Sequence, residues 1–364
     1  MKLLVITQKY DINDSNLGAF IDWWDKLAEK IEKVYVLALL KRSEPIRPKV
    51  EVLSMGKEKN AGFFGKFFGF YFGLLKTIRK IDAILVHMVP KYVILAAPLA
   101  FIFRKPIFMW YTGVAAQKQL KFSVLFCRKV FTAHEAAMRV NTPKRIVTGH
   151  GIDVNKFSIS NFAYSAEAAS AAKAGQFPIS KIVILSVGRI TPSKGHDLII
   201  KAVADLIKSG YNLNLKIIGD VIQAYHQKYL EFLKKLVSNL KMNEVVEFCG
   251  SVRHNAMPPY FNRAQVLINA VPFGGLDKVV LEAMASGVVP LTSNDAFLSV
   301  FPKEVAPQLV FQENDLEDLK NKLKNVLDRK LYLDESLVSQ LRNVVVRDHN
   351  LDNLLNKIIE EIKK

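Results

Sequence analysis

The chain has 364 residues, 50% of them apolar, which is too much for one ordinary α/β domain and suits two. Its two cysteines, Cys127 and Cys249, lie far apart and exclude a disulfide framework and a zinc site, as expected in a reducing compartment. The formal charge of +17 is uneven: residues 1–157 hold 26 Lys and Arg against 12 Asp and Glu, and residues 59–150 hold 15 against 2.

A basic half beside a nearly neutral half points to an anionic surface partner, with a merely solvated basic face as the plainer reading. No nucleic-acid motif accompanies the pI of about 9.6, so nucleic acid is not an expected partner.

"MKLLVITQKYD" reads as a buried first strand and not as a signal peptide. Strands are predicted at 3–7, 34–39, 83–87, 107–110 and 130–132, with helical patterns between them such as 18–30. The run 92–103, "YVILAAPLAFIF", is too short for a membrane span and carries Pro98, so a buried helix is expected. Residues 158–180 are rich in Ala and Ser and read as a linker or surface excursion. A second α/β series follows, with strands at 182–187, 213–218, 245–248, 266–269 and 288–291 and helices at 197–208, 225–240 and 277–286. Helices at 315–328 and 351–363 end the chain. Alternating strands and helices argue for two mostly parallel sheets, each covered on both faces, with a ligand cleft at their C-terminal edges. The expected division is an N-terminal domain 1–157, the linker 158–180, a second domain 181–345, and a C-terminal helix 346–364 placed to cross back to the first domain.

"ILSVGRITPSKGHDLIIKAVADL" (184–206) carries the strongest chemical signal. A strand ends at Gly188, Arg189 and Lys194 follow on the loop, and a helix begins beside them. Glycine permits close approach of a ligand, and a helix N-terminus with two fixed cations suits a diphosphate. Each charged hydrogen bond there contributes about 1.5–3 kcal/mol. Downstream, "LKIIGD" and "VEFCGSVRHNAMPPYF" are strands ending in turns, and the loop with Gly250 and Val252 suits backbone contacts to a nucleotide base. In "VPFGGLDKVVLEAMASGVVPLTS" (271–293), Gly274, Gly275 and Leu276 form a loop, Asp277 stands where it would cap a helix, and the helix carries Glu282. A carboxylate there can accept from two adjacent ribose hydroxyls; a plain helix-surface glutamate is the competing reading.

Residues 181–293 resemble the donor domain of a family-four retaining glycosyltransferase of GT-B architecture. The segments "ITQKYDINDSNLGAFIDWWDKLAEKI" and "VTGHGIDVNKF" resemble other parts of that family, so the resemblance spans nearly the whole chain except 158–180. It implies two Rossmann-like domains facing each other across a cleft. It further implies metal-independent transfer of a sugar from a UDP- or GDP-linked donor, with no other cofactor. Arg189 and Lys194 would hold the diphosphate and stabilise the leaving nucleotide, Glu282 would hold the ribose, and Gly18 would let the N-terminal domain approach phosphates or acceptor. No Asp-x-Asp metal signature is present.

Two departures from the family pattern stand out. The family has a first glutamate eight positions before Glu282, where this chain has Gly274; Asp277, Lys278 or the N–H groups of Gly275 and Leu276 are the replacements at hand. Gly113 stands where many relatives have a histidine, and His87, His134 and His150 are candidate substitutes. A non-catalytic partner subunit that binds nucleotide sugar or glycan is the alternative. In "NAGFFGKFFGFYFGLLKTIRK" (60–80), Phe63, Phe64, Phe67, Phe68 and Tyr71 recur at roughly helical spacing beside four cations. Such a helix suits a lipid interface, or packing on the sheet. The overall expectation is a cytoplasmic, peripheral membrane enzyme of polysaccharide or glycolipid synthesis, acting on a saccharide or lipid-linked acceptor.

Overall fold

The computed structural model describes residues 1–14, 17–42, 47–113, 117–159, 181–272 and 274–364. The chain forms two units, Met1–Gly151 with His349–Lys364, and Ile152–Asp348. The sequence boundary at 157 lies slightly late, because Ile152, Val154 and Phe157 pack into the core of the second unit. The expected linker falls outside the described residues apart from 158 and 159.

The first unit holds seven strands: β1 (Lys2–Tyr10), β2 (Lys33–Lys41), β3 (Val50–Ser54), β4 (Ala83–His87), β5 (Ile107–Trp110), β6 (Cys127–Thr132) and β7 (Arg145–Val147). They are ordered β3-β2-β1-β4-β5-β6-β7, all parallel. The continuous apolar runs follow from burial on both faces. Leu4, Ile6, Ile84 and Val86 enter one core, while Leu3, Val5, Ala83 and Leu85 enter the other. Helices α1 (Ala19–Lys30), α2 (Phe63–Ile78), α3 (Pro90–Ile102) and α4 (Gln117–Phe126) cover the sheet. The side chains of α2, α3 and α4 join the first core, and those of α1 join the second.

Helix α2 presses closely on the sheet. A Cβ on Gly69 would come within 2.7 Å of the Met55 carbonyl oxygen, and one on Gly73 within 2.5 Å of Leu37 Cδ1. The glycines that weaken α2 as an isolated helix are therefore what lets it pack. Phe70, Leu74 and Ile78 face the core, and Phe63, Phe64, Phe68 and Phe72 are exposed. Helix α3 is buried along one side only, since Phe101 and Ile102 at its end are open to solvent.

The second unit repeats the plan with β8 (Ile182–Val187), β9 (Leu213–Ile218), β10 (Val246–Gly250), β11 (Val266–Asn269) and β12 (Val289–Thr292), ordered β10-β9-β8-β11-β12 and all parallel. Its helices include α5 (His196–Lys208), α6 (Gln227–Asn239), α7 (Lys278–Ala285), α8 (Leu316–Asp328) and α9 (Glu335–Asp348). Arg342 on α9 donates to the carbonyls of Phe157 at 2.9 Å, Val154 at 3.1 Å and Ala285, fastening the start of the unit to the end of α7. The last helix, α10 (Leu351–Lys363), belongs to the first unit, where Leu354, Leu355 and Ile358 join the core of α1. Lys26 and Lys30 of α1 pair with Asp352 at 3.0 and 3.2 Å.

Candidate active site

In both sheets the strand order reverses next to the first strand of the unit, between β1 and β4 and between β8 and β11. Loops that leave such a switch point diverge and open a crevice at the strands' C-terminal ends. In the second unit the two loops are 188–195 after β8 and 270–277 after β11, which hold most of the expected donor residues.

The loop after β8 is tied to the end of β9. Gly188 N–H donates to Ile218 at 2.9 Å and Ile190 N–H to Asp220 at 3.0 Å. Gly219, with φ +149°, lets these ends meet, since a Cβ there would overlap the Gly188 carbonyl oxygen. Gly195 has φ +58° and lies against Ala270, whose Cβ and carbonyl oxygen would be 2.7 and 2.8 Å from an added Cβ. Glycine is thus required where the two loops touch. Gly195 also begins α5 with no side-chain cap of its own, and of the first-turn N–H groups that of Asp197 donates to Tyr229 Oη at 3.4 Å.

Arg189 is exposed and forms no ion pair among the described residues. The stem of Lys194 lies over Gly188, where an added Cβ would be 3.2 Å from Lys194 Cδ. Lys194 Nζ is 3.2 Å from Asp277 Oδ1, with the two side chains 18% and 19% exposed. Asp277 occupies the N-cap position of α7, yet its side chain makes no capping bond. The expected capping role is therefore replaced by an ion pair across the two loops.

Glu282 is buried, at 5% exposure, which overturns the helix-surface reading. Its Oε1 lies 2.8 Å from His254 Nε2 and 4.0 Å from Lys278 Nζ. His254 sits in the turn after β10, its ring 5.3 Å from that of Phe157. Gly250 has φ +67° and accepts from Gly219 N–H at 2.8 Å, while Val252 is half-buried. No heavy atom lies within 4 Å of a Cβ built on Gly274, so the missing glutamate leaves open space. Gly275 is held by Asn294, whose Nδ2 donates to its carbonyl at 3.0 Å, and Leu276 is buried.

Besides His254, two residues of this region escape sequence reasoning. Asn294 is one; its only signal is its place just after β12. The other is His196, buried directly behind Lys194. Its Nε2 lies 3.2 Å from the Arg189 carbonyl, which can only accept, so Nε2 carries the proton. Nδ1 then accepts from Ser186 Oγ at 3.0 Å. Burial pushes the His196 pKa down to about 4, below the ordinary value of about 6.5. The unfolded chain therefore binds the extra proton between these values. Stability from His196 is full above about pH 6.5 and falls by about 3 kcal/mol as pH drops to about 4. Urea denaturation at a series of pH values is expected to show this slope, and His196→Gln to flatten it.

The residues expected on the acceptor side all lie in the first unit. Gly18 precedes α1, and an added Cβ would be 2.5 Å from the Asp14 carbonyl oxygen, so its close approach is to its own loop. His87 is buried, 3.0 Å from Thr7 Oγ1, among Phe20, Trp24 and Trp110, which makes it a core residue. His134 caps a turn by accepting from Ala136 N–H at 3.2 Å, and burial lowers its pKa. Gly113 donates to the Ala137 carbonyl at 2.9 Å, and His150 N–H donates to His349 Nδ1 at 3.3 Å. The structure brings none of these together as a reactive group. Among the described residues no cluster of three or more His, Cys, Asp or Glu is arranged to hold a metal ion.

Comparison with known proteins agrees with this geometry. The family model described as glycosyl transferases group 1 matches residues 170–343. Protein CapJ of Staphylococcus aureus is 26% identical over 44% of this chain and 38% of its own length. The D-inositol 3-phosphate glycosyltransferase of Streptomyces scabiei is 27% identical over 50% of this chain and 42% of its own length. The matches thus span about two fifths of those relatives. The crystal structure of Anabaena HepE in complex with UDP superposes with a TM-score of 0.76 at 16% identity, covering 100% of both chains. Residues 170–343 therefore match the glycosyl transferases group 1 family, in a chain whose two units have the Rossmann-like build of the GT-B fold.

Proposed function

We propose that this protein transfers a sugar from a nucleoside-diphosphate sugar to a saccharide or lipid-linked acceptor. The observation that carries the reading is that Arg189 and Lys194 share the loop that leads into α5 at a sheet switch point. Two cations and a helix N-terminus match a diphosphate and stabilise the charge that grows on it as the glycosidic bond breaks. The UDP held by HepE supports a nucleotide-linked donor, which we take as UDP- or GDP-linked, and the activity named for the Streptomyces relative supports glycosyl transfer. In this reading transfer retains anomeric configuration and needs no metal, because Arg189 and Lys194 supply the positive charge. The protein works at the cytoplasmic face of a membrane.

A second reading, a non-catalytic subunit that binds nucleotide sugar or glycan, draws on Gly274, which leaves the donor-sugar position without the family's carboxylate. One panel tests both. Calorimetric binding and nucleotide release are measured with UDP-, GDP- and ADP-sugars, with and without EDTA, for the native chain, Arg189→Ala and Gly274→Glu. The expected result is binding to one donor class, slow release insensitive to EDTA, and loss of both in Arg189→Ala. Gly274→Glu has room for its Cβ and is expected to fold normally and change the preferred sugar. Binding with no release, even with acceptor extracts, would favour the non-catalytic reading; no binding would remove the transferase and any nucleotide-sugar-binding subunit.

A further inference from the structure

Helices α2, α3 and α4 form one layer on one face of the first unit's sheet. Tyr71 of α2 donates to the Leu95 carbonyl of α3 at 3.1 Å, and Ser123 of α4 donates to the Pro90 carbonyl at 2.8 Å. Their inner sides enter a common core through Phe70, Leu74, Val93, Leu120 and Val124. Their outer sides hold most of the exposed large hydrophobic side chains among the described residues. Phe68, Phe72 and Phe101 are 66%, 70% and 87% exposed, and Leu75, Ile102 and Leu125 stand out beside them.

Exposed cations surround these groups: Lys76, Arg79, Lys80, Arg104, Lys121 and Arg128. Residues 59–150 contain just two acids, Asp82 and Glu135, and neither is on the three helices. Asp82 already accepts from the Lys2 N–H at 2.7 Å. At the end of α3 a recess of about 630 Å³ is lined by Phe101 and Ile102 together with Arg104, Lys105 and Arg128.

We propose that this three-helix face docks on an anionic lipid bilayer. The phenylalanines and leucines enter the acyl boundary, and the lysines and arginines meet lipid phosphates. The proposal deepens the lipid-linked acceptor reading and rests on it for its purpose. Charge decides the occupant. A second copy would set one strongly cationic face against another, and Glu51, the acid that feels Lys76 and Lys80, is already paired with Lys33 at 2.8 Å. Nucleic acid would supply phosphates but leave Leu75, Ile102 and Leu125 without a partner, since bases stack on rings. A face of large apolar side chains rimmed by cations matches the acyl–headgroup boundary of an anionic leaflet.

The test is co-sedimentation of the full chain with phosphatidylcholine vesicles, with or without phosphatidylglycerol, at low and high salt. No sugar is present, so the result is independent of turnover, and Arg189→Ala is expected to bind vesicles like the native chain. Preferential, salt-weakened binding to anionic vesicles is expected. Phe68→Ser with Phe72→Ser, and separately Lys76→Glu with Arg79→Glu, are each expected to lower partitioning by about tenfold or more. These positions are exposed, so thermal melting is expected to be unchanged. No binding, equal binding to neutral vesicles, or unaffected binding by both double variants would overturn the proposal. So would a mass by light scattering that halves in the phenylalanine variant of a chain indifferent to vesicles, or oligonucleotide binding lost in its place.

Discussion

Lys194→Ala is expected to lower kcat/KM for the nucleotide sugar by about a hundredfold or more, the scale seen when a preorganised charge is removed from a developing anion. Lys194 is held in place before any ligand arrives. Its stem lies along Gly188, and its ammonium is held by Asp277 at 3.2 Å, with both side chains about four-fifths covered. That pair is less screened than a surface ion pair, so its members are strongly coupled. An incoming diphosphate has to take Lys194 from Asp277. Asp277→Asn is therefore expected to lower the donor KM severalfold while Lys194 is present, and to have no such effect in the Lys194→Ala background. Steady-state nucleotide release for the four members of this cycle measures the coupling. If Asp277→Asn gave the same change with or without Lys194, the competition described here would be absent.

The fold was legible where burial on two faces leaves continuous apolar runs. The strands read at 83–87, 107–110, 182–187, 213–218 and 266–269 agree residue for residue with the structure. Strand β3 was not anticipated, because at the sheet edge it is mostly half-buried and alternates Val with polar residues. Strand β7 has only three residues, too few to carry a pattern. Helix α4 exposes Phe122, Leu125 and Phe126, which blurs its amphipathic stripe, and α9 contains the β-branched run Val344–Val345–Val346 that reads as strand. In the candidate site, the glycines and cations of 188–195 were legible because loop chemistry is local. The partners were not. His254 reaches Glu282 across 28 positions, Asn294 reaches Gly275 across 19, and Lys194 reaches Asp277 across 83. Only the tertiary fold converts Asp277 from a cap into an ion pair and decides Glu282 for the buried residue over the competing surface one.

That buried acceptor supplies the second large effect. A carboxylate at 5% exposure is costly unless paired, and Glu282 has His254 Nε2 at 2.8 Å and Lys278 Nζ at 4.0 Å to hold it. A carboxylate has about four acceptor sites, more than His254 and Lys278 take, so it can also accept from neighbouring hydroxyls such as a ribose presents. Glu282→Gln keeps the shape but replaces one accepting oxygen by an NH₂ donor. It is expected to raise the donor KM by about a hundredfold with a smaller change in kcat, since ribose contacts are made equally in ground and transition states. The decisive measurement compares the donor with its 2′-deoxy analogue. The native chain is expected to reject the analogue, because a buried acceptor is then left unpaired, and Glu282→Gln is expected to lose most of that discrimination. His254→Phe removes the anchor but leaves the carboxylate. It is expected to raise KM by about tenfold while part of the 2′-hydroxyl preference survives. Equal discrimination in the native chain and Glu282→Gln would detach the carboxylate from the ribose and leave His254 and Glu282 as a structural pair.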